Sequence, residues 1–176
     1  MQRIHQLSCA ALLLWPFGAR SETTNEALLR ATAAIAAAKP RALADPMHPV
    51  FHITGQAQWI NDPNGPIFYK GFYHLFYQLH PFSDESGPKF WGHVRSRDLA
   101  QWEPLPVALW PSRELGEAEV WSGCCTINGL GQPMCFYTSV GPAKGPFDHA
   151  DQWAALGDDD LITWQKSPAI PFCPTR

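Results

Sequence analysis

The pentapeptides Asp98-Leu99-Ala100-Gln101-Trp102 and Asp160-Leu161-Ile162-Thr163-Trp164 both begin with Asp-Leu and end with Trp, and they belong to a longer pattern. Trp59 and Trp121, Trp91 and Trp153, and Trp102 and Trp164 are three pairs with one common separation, a period of about 62 residues. Phe76-Tyr77 recurs as Phe136-Tyr137, two residues out of phase. Within one unit, alternation and turn residues predict strands over 66–69 and 72–78 joined at Lys70-Gly71, then over 90–96 and 107–110. Four short antiparallel strands repeated with aromatics at fixed places describe a β-propeller blade. A two-sheet sandwich made by duplication is compatible with the same strand count. From position 51 onward there is room for about two units, whereas propellers close with about four to eight blades.

Composition agrees with an all-β chain. Of 176 residues, 45% are hydrophobic and only 16% charged, which excludes a disordered chain, while 17 Pro and 13 Gly are too many for a helical bundle. Aromatics make up 12%, a density that suits strands and sugar faces. The formal net charge of −3 provides no field for nucleic acid or an anionic membrane, so neither is expected as a partner.

Ahead of the repeat, Arg3 and the apolar run 7–19 (LSCAALLLWPFGA) read as a signal peptide over 1–22, too short for a membrane span, and predict a secreted or periplasmic protein. An uncleaved apolar N-terminus and a lipid anchor at Cys9 are the alternatives. Thr23-Thr24-Asn25-Glu26 fits a capping box, and ALLRATAAIAAA at 27–38 predicts a helix that stops near Pro40, within a helix-and-linker segment over 23–48. The remainder, 49–176, is expected to be the partial propeller.

Asp62-Pro63-Asn64-Gly65 has the residue preferences of a type I turn, which makes Asp62 a structural residue on turn chemistry alone. Its counterpart in the second unit, Trp121-Ser122-Gly123-Cys124, lacks the Asp, and a feature needed only for blade architecture should recur.

WINDPNG at 59–65, HLFYQ at 74–78, WGHVRSRDLAQW at 91–102 and WSG at 121–123 together resemble the ordered N-terminal motifs of glycoside hydrolase family 32, the invertases, inulinases, levanases and related β-fructosidases. The resemblance implies an all-β fold, here the first two four-stranded antiparallel blades of a five-bladed propeller, with an active site in the axial funnel. It implies that Asp62 is the catalytic nucleophile, that Asn61 and Gln78 hold the terminal fructose hydroxyls, and that Trp121 and Ser122 line the same subsite. Trp59, Trp91 and His93 are expected to shape the funnel. The implied substrate is a fructose-containing oligo- or polysaccharide, with no metal or organic cofactor.

The residue types suit that chemistry. A ketofuranoside breaks through an oxocarbenium-like transition state, so a retaining enzyme needs one carboxylate at the anomeric carbon and a second carboxyl roughly 5 to 5.5 Å away to protonate the leaving oxygen. Asp62 would be the first, and the amides of Asn61 and Gln78 can both donate to and accept from hydroxyls. The family's second carboxylate is a Glu in an EC motif, shortly after an RDP motif, and neither motif occurs here. Glu103, Glu117 and Glu119 are not followed by Cys, and Arg97-Asp98 is followed by Leu99. The loop 80–89 also lacks the Trp that many members place about eight residues after the motif Gln. The chain is therefore expected to be inactive alone, the alternative being a non-catalytic carbohydrate-binding propeller or a decayed gene product.

Two other groups carry no chemistry on this reading. Asp158-Asp159-Asp160 aligns with Ser96-Arg97-Asp98 and reads as a blade turn, and His74, His80 and His93 lack metal-ligand spacing. Cys124, Cys125, Cys135 and Cys173 are expected as free buried thiols, with a bridge from Cys124 or Cys125 to Cys135 as the alternative.

Overall fold

A computed structural model describes residues 24–49, 51–141 and 150–167; the expected leader and Cys173 fall outside them. Two four-stranded antiparallel sheets follow one helix. The helix α1 spans Thr24–Leu43, and the first sheet runs in the order β1 (Trp59–Tyr69), β2 (Phe72–His80), β3 (Phe90–Ser96) and β4 (Glu103–Leu109). The second sheet follows the same meander through β5 (Glu119–Ile127), β6 (Pro133–Val140), β7 (Ala150–Gly157) and β8 (Trp164–Lys166).

Strand alternation divides the apolar residues of the first sheet between two cores. Phe76 and Trp91 point toward the second sheet, where they pack with Val120, Tyr137, Trp153 and Trp164. Tyr77, Leu79, Phe90 and Val94 point the other way and are covered by Ala27, Ala31 and Ile35 of α1. α1 thus covers the face of the first sheet turned away from the second.

The helix also outruns its predicted end. Pro40 lies inside α1, although proline removes one ladder hydrogen bond and crowds the preceding turn. Both Pro40 and Ala36, whose carbonyl loses its partner, are exposed, so water can satisfy that carbonyl. Tertiary contacts hold the turn beyond, with Lys39 donating to Gln56 at 3.2 Å and Arg41 paired to Asp84 at 2.9 Å.

The tryptophan repeat is real in one strand-to-strand turn and displaced elsewhere. Trp102 and Trp164 each donate their indole N–H to the carbonyl three residues earlier, Leu99 and Leu161, at 3.1 and 3.2 Å. Both leucines take a left-handed conformation, with φ of 64° and 57°. Ser96 and Asp158 serve the same role in these turns, accepting amide hydrogens from the residues that follow, so Asp158-Asp159-Asp160 is the blade turn expected. Trp91, however, faces Gln78, whereas Trp153 faces Tyr137 at the register position that Gly92 holds against Tyr77.

The cysteine expectation needs correcting. Cys125 and Cys135 lie directly opposite each other on β5 and β6 and are disulfide-bonded, while Cys124 is free and exposed. Period-two alternation is the reason: Cys125 turns inward beside the buried Cys135, which sends its neighbour Cys124 outward.

Beneath the first sheet's inner face, His74 Nδ1 and His93 Nε2 are 3.0 Å apart, and His93 stacks on Phe76 at 4.2 Å. Burial, with Arg95 nearby, pushes His74 down from 6.5 to about 4, and burial lowers His93 well below its ordinary value. Both rings are neutral at pH 7. In the unfolded chain they protonate near pH 6.5, so stability is complete above that value and is lost as pH falls toward 4. For His74 the loss amounts to about 3 kcal/mol. Urea midpoints at pH 7 and 4.5 should differ accordingly, and His74→Gln, which cannot protonate, should shrink the difference; an unchanged difference would assign the acid sensitivity to other groups.

Candidate active site

The Asp62 segment read as a turn is instead part of β1, the edge strand of its sheet, and carries two irregularities. Ile60 pairs with Leu79 and Pro63 with Tyr77, so Asn61 and Asp62 together oppose the single residue Gln78. That is a β-bulge, which kinks the strand and re-aims its side chains. A second one follows, where Gly65 and Pro66 oppose Leu75 between the Asn64–Phe76 and Ile67–His74 pairs. Gly65 has φ +48°, and a Cβ there would lie 2.5 Å from Cys125 Sγ and 3.2 Å from Phe76. The turn-forming residues Pro, Asn and Gly thus serve a doubly bulged edge strand, where proline's missing N–H is tolerated.

The second sheet repeats the first bulge. Val120 pairs with Ser139 and Gly123 with Tyr137, leaving Trp121 and Ser122 opposite Thr138. Asn61-Asp62 and Trp121-Ser122 are therefore structural equivalents, whereas Trp59, which faces His80, corresponds to Glu119, which faces Val140. Trp59 and Trp121 occupy equivalent strands but not equivalent positions.

The two bulges meet. Ser122 Oγ donates to Asp62 Oδ2 at 2.7 Å, and Gln78 Nε2 donates to Ser122 Oγ at 2.9 Å. Gln78 is buried, Ser122 half-buried and Asp62 exposed, so the array runs from the sheet interior out to an accessible carboxylate. A hydrogen bond to an ionised acceptor is among the stronger kinds, and here it spans two sheets. Asn64 adds a second bridge: its buried side-chain oxygen accepts the Gly123 N–H at 3.4 Å. Asn61 is exposed beside Asp62.

The remaining predicted residues stand around and behind this array. Trp91 is fully buried and donates its indole N–H to the Trp121 carbonyl at 3.0 Å, which fixes the backbone of the second bulge from within. His93 is buried farther along the same strand, under Phe76. Trp59 and Trp121 are half-buried and linked through charge: Lys89 Nζ lies 5.7 Å from the Trp59 ring centre and 3.2 Å from Glu119, which accepts the Trp121 indole N–H at 2.7 Å. Sequence reasoning missed Lys89, Glu119, Asn64 and Gly123 as supports. Asn64 and Gly123 lie inside quoted motifs, but no pattern in the sequence marks Lys89, whose role depends on the fold bringing two blades together. Among the described residues, no group of three or more His, Cys, Asp or Glu is placed to hold a metal ion.

Comparison with known proteins bears directly on this arrangement. Residues 52–175 match the Glycosyl hydrolases family 32 N-terminal domain. An insoluble isoenzyme of β-fructofuranosidase from Arabidopsis thaliana is 40% identical over 122 residues, covering 69% of this chain and 21% of the relative. The levanase of Bacillus subtilis is 38% identical over 136 residues, covering 72% and 19% respectively. Among solved structures, a β-fructofuranosidase of this family from Bombyx mori superposes with a TM-score of 0.73 at 33% identity, covering 88% of this chain and 32% of that one. The chain thus spans about a fifth of the length of the curated relatives it matches. With the family matched over most of its length and two bulged blades meeting at Asp62, the chain belongs to glycosyl hydrolase family 32 and forms the first two blades of an incomplete all-β propeller.

Proposed function

We propose that this chain is the nucleophile-bearing part of a β-fructoside hydrolase acting with retention, on sucrose, inulin, levan or fructo-oligosaccharides. The observation that carries the reading is the 2.7 Å hydrogen bond from Ser122 to Asp62, backed by Gln78. It leaves one face of an exposed carboxylate free to approach an anomeric carbon while orienting the other. Asn61 and Gln78 offer amides to the fructose hydroxyls, and the Trp121 ring supplies an apolar wall. Relatives named as β-fructofuranosidases, levanase and sucrose-6-phosphate hydrolase support the substrate class.

In this proposal the 176-residue chain carries half of the catalytic pair, since no EC or RDP motif occurs in it. Residues that act as a unit do not retain proportional activity when one is lost, so hydrolysis by this chain alone is expected to be negligible. The apolar leader together with a disulfide fits an exported protein; no helix among the described residues is long and apolar enough to cross a membrane.

Two assays test the proposal. Fructose titrated into the chain should perturb the amides of Asn61, Asp62 and Ser122, and Asp62→Asn or Gln78→Ala should abolish that response. Fructose release from sucrose or inulin should stay at background, and release that disappears in Asp62→Asn would show that the chain needs no further acid. A fructose response untouched by Asp62→Asn would move the binding site elsewhere.

A further inference from the structure

We propose that the Cys125–Cys135 disulfide is a redox-dependent positioning element for Asp62. The inference deepens the reading of Asp62 given above and rests on it. The bond sits directly behind the bulged segment. Cys135 is fully buried and Cys125 partly so, and both belong to the core shared by the two sheets. Gly65 closes against this sulfur: a Cβ at position 65 would be 2.5 Å from Cys125 Sγ, 3.3 Å from the Cys125 amide nitrogen and 3.2 Å from the Phe76 ring. The segment from Asp62 to Gly65 is therefore held at three points. Ser122 holds the carboxylate, Gly123 holds Asn64, and the disulfide with Phe76 closes off the space behind Gly65. Ser122, Gly123 and Cys125 lie within four consecutive positions of β5, so a shift in the bridge reaches both other supports.

Reduction by a dithiol moves two electrons and two protons to the bridge. The dithiol becomes a disulfide, and Cys125 and Cys135 become thiols. Two unbonded sulfurs need van der Waals separation, and a close-packed core leaves them little room. Cys135 is enclosed, so the displacement falls on Cys125 and on Gly65 packed against it. The Asp62 carboxylate then loses its fixed relation to Ser122 while α1 and the first sheet's outer turn at Leu99, which lie outside the core that holds the bridge, stay in place.

The test uses the whole chain carrying Cys124→Ser, which removes the exposed neighbouring thiol. Peptide mapping without reductant should recover Cys125 linked to Cys135. In amide NMR spectra, dithiothreitol should shift Asn64, Gly65 and Gly123, leave Ala31 of α1 and Leu99 of the first sheet's outer turn unmoved, and weaken fructose binding by about tenfold, all reversed on reoxidation. Cys125→Ala/Cys135→Val, which fills the core without a bond, should shift the same three amides with no reductant present, and serves if reduction unfolds the chain. Unmoved Asn64, Gly65 and Gly123 amides, or reporters that all move together in that variant, would overturn the proposal. Absence of any fructose response in the oxidised chain would count against the Asp62 reading instead, because the amide shifts report the positioning independently.

Discussion

Glu117→Ala is expected to lower the unfolding free energy by about 3–5 kcal/mol, the range for removing one partner of a buried ion pair. Glu117 is fully buried just ahead of β5, where it accepts the Ser112 N–H at 2.9 Å and pairs with Lys166 of β8. Lys166 also donates to the Trp110 carbonyl at 2.6 Å and lies among the rings of Trp110, Tyr137 and Trp153, each centre 5.2 to 5.5 Å away. Burial pushes the lysine's pKa down, opposed mainly by Glu117, so removal of that carboxylate leaves a buried ammonium with only the weaker attraction of Glu114. Replacing both groups by apolar residues, as in Glu117→Leu/Lys166→Met, should recover most of the loss, since a buried pair seldom outperforms well-packed hydrophobic residues. Urea denaturation of the single and double variants measures this; a Glu117→Ala loss below about 1 kcal/mol would mean that water reaches the site.

Gly123→Ala is expected to damage stability and site together. A Cβ on Gly123 would lie 2.0 Å from the Phe136 carbonyl oxygen and 2.7 Å from the Tyr137 Cα, both backbone atoms that cannot swing aside. Overpacking of this kind costs about 1–3 kcal/mol or more. The only relief is for β5 to move away from β6, which carries Ser122 off Asp62 and Gln78. The expected result is a lower thermal midpoint and a lost fructose response. Gly129→Ala is the control, because nothing lies within 4 Å of a Cβ there, and its effect should stay within about 0.5 kcal/mol. A Gly123→Ala protein with normal stability and normal fructose response would show that the bulge is not closely packed.

Where side-chain type alone carries the information, the sequence was sufficient. Alternating apolar residues and Lys70-Gly71 placed the first hairpin, and β3 runs over the predicted span 90–96. β1 and β4 were read too short, at 66–69 and 107–110, because Asp62-Pro63-Asn64-Gly65 has turn preferences and Pro104 and Pro106 argue against a strand. Both are edge strands of their sheet, where a missing N–H loses no ladder partner.

The sequence by itself determined that the chain is all-β, that two similar four-stranded units follow one another, and that WINDPNG, HLFYQ and WSG belong to one family. These rest on period-two alternation, turn residues and motif order, all of which are local properties of the chain. Only the tertiary structure decided which residues correspond. The tryptophan spacing aligned Trp59 with Trp121, but pairing across each sheet aligns Asn61-Asp62 with Trp121-Ser122, so two like bulges bring the carboxylate and its donor together. The same register placed Cys125 opposite Cys135 and brought Lys166 to Glu117. Register is set by which partner residue each backbone amide finds across the sheet, and a bulge changes it by one position without altering composition or spacing on its own strand.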